Sequence, residues 1–239
     1  MMSRQDVYEQ VGVAMTCRSL QEYVDMFQLS GDWMSQGPIL DVAAGASSFV
    51  AQVRKAGGDA VAVDPLYLGQ AEELYARGKR EIANSTEKLR NIAHTYDWGY
   101  YGSLEQHRLN REQALEEFIQ TYANDGTKQI FVPGGLPRLP FADDRFSQVF
   151  CSHFLFLYHQ QFDEEFHRQA IAELVRICRP GGEVRLYPLV GLDRKQYVHL
   201  AELISDLRQD GHEVALVPTT FRFLEGATRF LQICKKAAR

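Results

Sequence analysis

Two acids set beside small residues carry the first chemical signal in this chain. Asp41 lies inside Pro38-Ile-Leu-Asp-Val-Ala-Ala-Gly-Ala-Ser-Ser-Phe49, and Asp64 closes the apolar run Ala60-Val-Ala-Val-Asp64. Asp64 falls about 20 residues beyond the small-residue turn, the spacing at which dinucleotide-type folds set a carboxylate against ribose hydroxyls. Ala43, Gly45 and Ser47 keep that turn narrow, so a ligand can press against the backbone while N–H groups at the following helix start meet its polar atoms. A nicotinamide nucleotide would call for Gly-x-Gly-x-x-Gly under its pyrophosphate, and only Gly45 is present. Asp41 would repel a pyrophosphate and suits a ligand that carries positive charge.

Those acids work only if two parallel strands bring their carboxyl ends to one ligand. Ile39–Ala43 reads as a buried strand, Ala44-Gly45-Ala46-Ser47 as a turn, Ser48 to Ala56 as a helix and Ala60–Asp64 as a second strand, the opening of a βαβ unit. Upstream, Tyr8, Val11, Met15, Leu20, Val24 and Phe27 recur at helical spacings, predicting two short helices within Gln5–Leu29, broken near Thr16–Ser19. The third strand is delayed to Gln129–Val132 by three expected helical pieces, around Gly69–Gly78, Arg80–His94 and Arg111–Ala123. A fourth strand ends at Cys151-Ser-His153. A helix marked by Phe162, Phe166, Ala170, Ile171, Leu174, Val175 and Cys178 then stops at the Pro180-Gly181-Gly182 turn. Val184–Leu189 is the fifth strand, and Tyr197, Leu200, Ala201, Ile204 and Leu207 mark a further helix. The last runs, His212–Val217 and Arg229–Lys235, leave no room for a crossover helix and should pair antiparallel.

A length of 239 residues fits one domain with an insertion, and a net charge of −5 gives no electrostatic footprint for a phosphate backbone. Cys17, Cys151, Cys178 and Cys234 are scattered, without Cys-x-x-Cys or histidine at ligand spacing, so free thiols and no metal are expected. No signal core and no apolar run near the roughly 18 residues of a membrane span is present, which predicts a cytoplasmic protein without a membrane partner.

Four segments in order resemble the class I S-adenosylmethionine-dependent methyltransferases. Asp41-Val-Ala-Ala-Gly-Ala-Ser47 is similar to the family's first motif, with alanine at 43 and serine at 47 where glycine is frequent. Val61-Ala-Val-Asp64 resembles the second motif, Leu139-Pro-Phe-Ala-Asp-Asp-Arg-Phe-Ser-Gln-Val-Phe-Cys-Ser-His153 the segment leading into the fourth strand, and Glu173-Leu-Val-Arg-Ile-Cys-Arg-Pro-Gly-Gly182 the turn before the fifth. The resemblance implies an α/β fold: a Rossmann-like, seven-stranded, mostly parallel sheet of order 3-2-1-4-5-7-6 with helices on both faces. It would form a single domain with an N-terminal helical cap over 1–35 and a helical insertion over 66–127. It implies S-adenosyl-L-methionine as cofactor, with Asp41 near the methionine end, Ala43, Gly45 and Ser47 as the turn around it, and Asp64 accepting both ribose hydroxyls. Leu66 would border the adenine edge, and Pro65 would belong to the cofactor site beside it. Gly135 and Leu136 stand where the family commonly has an acid for the adenine amino group, so backbone carbonyls or Leu136 packing would substitute. Ser152 and His153 complete the cofactor edge.

The sulfonium activates its own methyl group, so alignment of the reactants, worth about 7 to 11 kcal/mol, makes a dedicated catalytic residue optional. His153 is the first candidate general base, or else a histidine that only orients a ligand, and Tyr158 is a second catalytic candidate. Tyr96, Trp98, Tyr100 and Tyr101, punctuated by glycines, form either a substrate-side lid or an anchor of the insertion. The expected acceptor is a small molecule. The alternatives are a tRNA or protein acceptor, or a catalytically silent cofactor-binding partner subunit; Cys151-Ser-His-Phe in place of an Asn-Pro-Pro-Tyr motif disfavours base methylation.

Overall fold

A computed structural model describes residue 8 and residues 10–237. Its seven strands are β1 (Ile39–Val42), β2 (Ala60–Asp64), β3 (Phe131–Pro133), β4 (Phe146–Ser152), β5 (Cys178–Tyr187), β6 (Glu213–Pro218) and β7 (Arg229–Cys234), in the order β3-β2-β1-β4-β5-β7-β6. Strands β1 to β5 pair in parallel, and β7 is antiparallel to both β5 and β6. Every residue of β1, β2 and β4 is buried, which is why these strands read as continuous apolar runs rather than alternating ones.

Side chains nevertheless alternate between two cores. Ile39, Ala60, Ala62 and Phe150 face one layer, and Leu40, Val61, Val63, Val149 and Cys151 face the other. The first layer is covered by α1 (Leu20–Phe27), α2 (Phe49–Lys55), α3 (Ala71–Asn91) and α4 (Leu104–Tyr122); the second by α5 (Glu164–Ile177) and α6 (Leu200–Gln209). This period-2 parity puts Asp41 on the α1 face, under Tyr23. None of the helices is long and apolar enough to cross a membrane among the described residues.

Three local expectations are corrected. Of the two helices expected before residue 30, α1 alone is seen among the described residues; residues 13–19 run as an irregular strap, and residues 1–7 and 9, which hold the start of the first expected helix, lie outside the described residues. Ser19 and Glu22 make a reciprocal capping box that fixes the start of α1 at Leu20. Upstream of it, the strap's backbone bonds to the rest of the fold instead of to itself: Ala14 N–H donates to the Tyr158 hydroxyl, while the Thr16 and Arg18 carbonyls accept from the N–H groups of Ala46 and Ser48. The N-terminal cap is therefore a strap, α1 and a short 3-10 turn at Trp33–Ser35.

The insertion holds two long helices rather than three pieces. Gly78 does not break α3, because a Cβ there would meet Leu115 Cδ1 at 2.6 Å; the missing side chain lets α3 and α4 approach. Pro180-Gly181-Gly182 is likewise not a turn before β5 but an irregular stretch within it, between the Phe146–Cys178 and Gln148–Glu183 pairs. A Cβ on Gly182 would lie 2.7 Å from the Ser147 carbonyl oxygen, so the register there demands glycine.

Candidate active site

The carboxyl ends of β1, β2 and β4 open onto a cavity of ≈ 320 Å³. Asp64 enters it from the end of β2. One of its oxygens accepts the Gly45 N–H at 2.9 Å and the other the Leu66 N–H at 2.9 Å. A carboxylate oxygen has a second lone pair, so each can still accept a donor from a ligand. Burial lifts the Asp64 pKa, and the two backbone N–H groups oppose that rise.

Ala43, Asp64, Pro65, Leu66, Gly135, Leu136, Ser152 and His153 all line this cavity, bringing together most of the positions expected to hold the cofactor. Ala43 and His153 follow the neighbouring strands β1 and β4, and both have left-handed backbones, φ 54° each. That conformation costs a residue with a Cβ roughly 1–2 kcal/mol and clusters at functional sites. Ala43 thus keeps the conformation that glycine adopts without strain.

Asp41, Gly45 and Ser47 do not line the cavity. Tyr23 covers Asp41, its hydroxyl lying 3.0 and 2.9 Å from the two carboxylate oxygens, and Ser152 Oγ donates to that hydroxyl at 3.2 Å. Full burial pushes the Asp41 pKa well above the usual carboxylate range, against the Tyr23 bond. The strap covers Gly45 and Ser47: a Cβ on Gly45 would meet the Thr16 carbonyl oxygen at 2.9 Å, and Ser47 Oγ donates to the Arg18 carbonyl at 3.0 Å. Asp41 therefore supports the site through Tyr23, and the turn supports it through the strap and Asp64.

A second cavity, ≈ 120 Å³, adjoins the first; Ala14, Thr16, Arg18 and His153 line both. Tyr158 and Tyr96 stand in its wall. The Tyr158 hydroxyl accepts from Ala14 N–H at 3.1 Å, and burial raises its pKa, so the phenol stays protonated. His153 has no hydrogen-bond partner at Nδ1. Burial, with Arg18 and Arg111 nearby, pushes its pKa well below the usual imidazole value, leaving a neutral ring between the two cavities.

Trp98, Tyr100 and Tyr101 do not reach either cavity. Their polar atoms are occupied by the fold: Trp98 Nε1 donates to the Ala93 carbonyl at 2.7 Å, Tyr100 to Asp25 at 2.7 Å and Tyr101 to Glu22 at 2.5 Å. Of the four aromatic residues, Tyr96 alone meets a cavity.

Residues that sequence reasoning missed include Arg18, Tyr23, Phe154, Phe162, Phe166 and Arg77 in the first cavity and His107 and Arg111 in the second. Phe162 and Phe166 carried a signal as helix-face residues; the others reach the site through contacts far apart in sequence.

Sheet order and cavity position define a class I methyltransferase fold, with its ligand cleft at the carboxyl ends of β1, β2 and β4. Residues 112–186 match the methyltransferase domain family. An uncharacterized protein of Methanocaldococcus jannaschii is 29% identical over 217 residues, covering 90% of this chain and 93% of that one. Among solved structures, an O-methyltransferase family protein from Burkholderia thailandensis is 15% identical with a TM-score of 0.50, over 92% of this chain and 57% of that one. A methyltransferase from Thermotoga maritima is 14% identical with a TM-score of 0.45, over 91% and 88% of the two chains. At 15% identity the likeness to the Burkholderia thailandensis structure is one of fold.

Proposed function

We propose that this chain transfers a methyl group from S-adenosyl-L-methionine to a small-molecule acceptor, the cofactor lying in the larger cavity and the acceptor reaching it from the smaller. The observation that carries this reading is the meeting of the two cavities at His153, with Asp64 in the wall of the first. The residues present fit the cofactor: Asp64 keeps lone pairs for sugar hydroxyls, and Pro65, Leu66, Leu136 and Phe154 give apolar walls for a base. When bound, the cofactor supplies a methyl group already activated by its sulfonium.

The protein's part is to bind, align and exclude water. Asp64 grips the sugar, and the partly apolar wall shields the reacting centre. His153, a neutral ring in the wall of both cavities, accepts the proton that the acceptor's nucleophilic atom loses, and the Tyr158 phenol donates a hydrogen bond that orients the acceptor. A small acceptor agrees with the size of the second cavity and with a net charge of −5, which offers nothing to a nucleic-acid backbone.

Binding is tested by melting temperature. Saturating S-adenosylhomocysteine, the demethylated product, should raise Tm by mass action, and no rise would remove the cofactor from this cavity. An acceptor screen scored by formation of that product then gives the assay for His153→Ala. Its kcat should fall about 10²- to 10⁴-fold. Because burial and two guanidiniums depress the His153 pKa, the acid limb of the wild-type pH profile should lie below about pH 6.5. Unchanged kcat in the variant, or an acid limb above neutrality, refutes the base assignment.

A further inference from the structure

We propose that the smaller cavity is an anion site, and that the methyl acceptor carries a carboxylate or similar acidic group held by Arg18. This rests on the methyltransferase reading above and adds to it the chemical class of the acceptor.

A buried charge cluster borders the smaller cavity. Arg18, Glu22 and Arg111 are 7%, 2% and 5% exposed, so two guanidiniums share one carboxylate out of contact with bulk water. Glu22 is fully engaged. Its oxygens accept from Arg111 at 2.8 and 3.1 Å, from Tyr101 at 2.5 Å and from the Ser19 N–H at 2.8 Å, with Arg18 the outermost partner at 3.3 Å. Arg111 is satisfied in turn by the Cys17 carbonyl at 2.5 Å and the Tyr101 hydroxyl at 2.8 Å. One positive charge is left over, and it belongs to Arg18, whose buried Nε has no partner.

The neighbouring acids do not offset it. Asp41 is covered by Tyr23, and its pKa is pushed well above the carboxylate range. Glu81 itself lines the smaller cavity, but it is only partly buried and its charge is shared with Arg77 at 4.0 Å. A second donor points the same way. His107 is 4% exposed, and its Nε2 accepts from Arg111 Nε at 3.3 Å, so the imidazole proton sits on Nδ1, which is buried without an acceptor. Arg18 and His107 line the same small cavity. A buried site with excess positive charge and two unmet N–H donors calls for an anionic acceptor, and a guanidinium suits a planar carboxylate. Burial is the main cause that keeps His153 from taking a proton, with Arg18 and Arg111 adding to it; an anion there would offset the second part, coupling acceptor recognition to the reaction.

The test uses matched probes on the full chain at constant ionic strength, with and without S-adenosylhomocysteine: 4-hydroxybenzoate against 4-hydroxybenzamide, and acetate against acetamide. At least one acid should bind the wild-type protein tenfold or more tightly than its amide, by calorimetric titration. Arg18→Gln should erase that preference, and Arg18→Lys should retain part of it. Equal binding of acid and amide in both pairs, or binding of neither, overturns the proposal on the wild-type protein, whatever the variants do. So does a variant that loses S-adenosylhomocysteine yet still binds 5′-methylthioadenosine, because Arg18 would then serve the cofactor's own carboxylate. If S-adenosylhomocysteine does not bind at all, the cofactor reading fails separately, and the acid-to-amide contrast in the ligand-free protein still decides the anion site.

Discussion

Asp64→Asn should weaken S-adenosylhomocysteine binding by about 100-fold, read by calorimetric titration. In the wild-type chain each Asp64 oxygen already accepts one backbone N–H, from Gly45 and from Leu66, and offers its remaining lone pair to the cavity. The amide keeps one oxygen and turns an NH₂ toward a backbone donor, so one N–H loses its partner and only one acceptor faces the ligand. Hydrogen bonds to a charged group contribute about 1.5–3 kcal/mol each, and every 1.4 kcal/mol is tenfold in affinity, which sets the expected loss. A melting curve of the ligand-free variant separates lost binding from lost folding. Wild-type affinity in a folded Asp64→Asn protein would mean that the nucleoside lies elsewhere.

Glu22→Gln should have the largest effect on stability, about 3–5 kcal/mol, because it leaves the buried guanidiniums of Arg18 and Arg111 without a countercharge. For a chain of this size that corresponds to a fall in Tm of roughly 10 °C. The pH dependence carries the same signature. Burial pushes the Glu22 pKa up, but Arg111 and Arg18 outweigh it and bring it from 4.5 down to about 2. A carboxylate whose pKa is lowered by folding stabilises the native state above its unfolded pKa and loses that contribution as pH falls toward the folded one. The gap in denaturation midpoint between wild type and variant should therefore be full at pH 7 and shrink between about pH 4.5 and 2. A gap that stays constant across that range would show that Glu22 acts by packing rather than by charge.

The central sheet was legible because parallel strands buried on both faces must be short apolar runs, as Ile39–Val42 and Ala60–Asp64 are. The antiparallel ending was legible too, from the short link between the last two strands. The strap at residues 13–19 was not. Met15 falls at a helical spacing from Val11, but the strap's hydrogen bonds run to Ala46, Ser48 and Tyr158, and no local period encodes partners so distant. The same holds for the Glu22–Arg111 pair, 89 positions apart, and for Tyr23 over Asp41: the sequence shows an acid on a strand but not the phenol that covers it. In the insertion, Gly78 looked like a break because glycine is a poor helix former, yet its missing side chain is what brings α3 against α4. Composition leaves Tyr100 and Tyr101 open between lid and anchor, and it does not show the hydrogen bonds to Asp25, Glu22 and Arg111 that tie them into the fold.

Ala14, Thr16 and Arg18 belong to a single strap that forms a wall of both cavities. A molecule in either chamber that shifts or steadies this wall changes the affinity of the other chamber, and thermodynamic linkage makes the influence mutual and equal in size. If the acceptor tightens the hold on the nucleoside tenfold, the nucleoside must tighten the hold on the acceptor tenfold. A difference between the methylated and demethylated nucleosides in how they set the wall would appear as a matching difference in acceptor affinity, so that turnover itself would favour release.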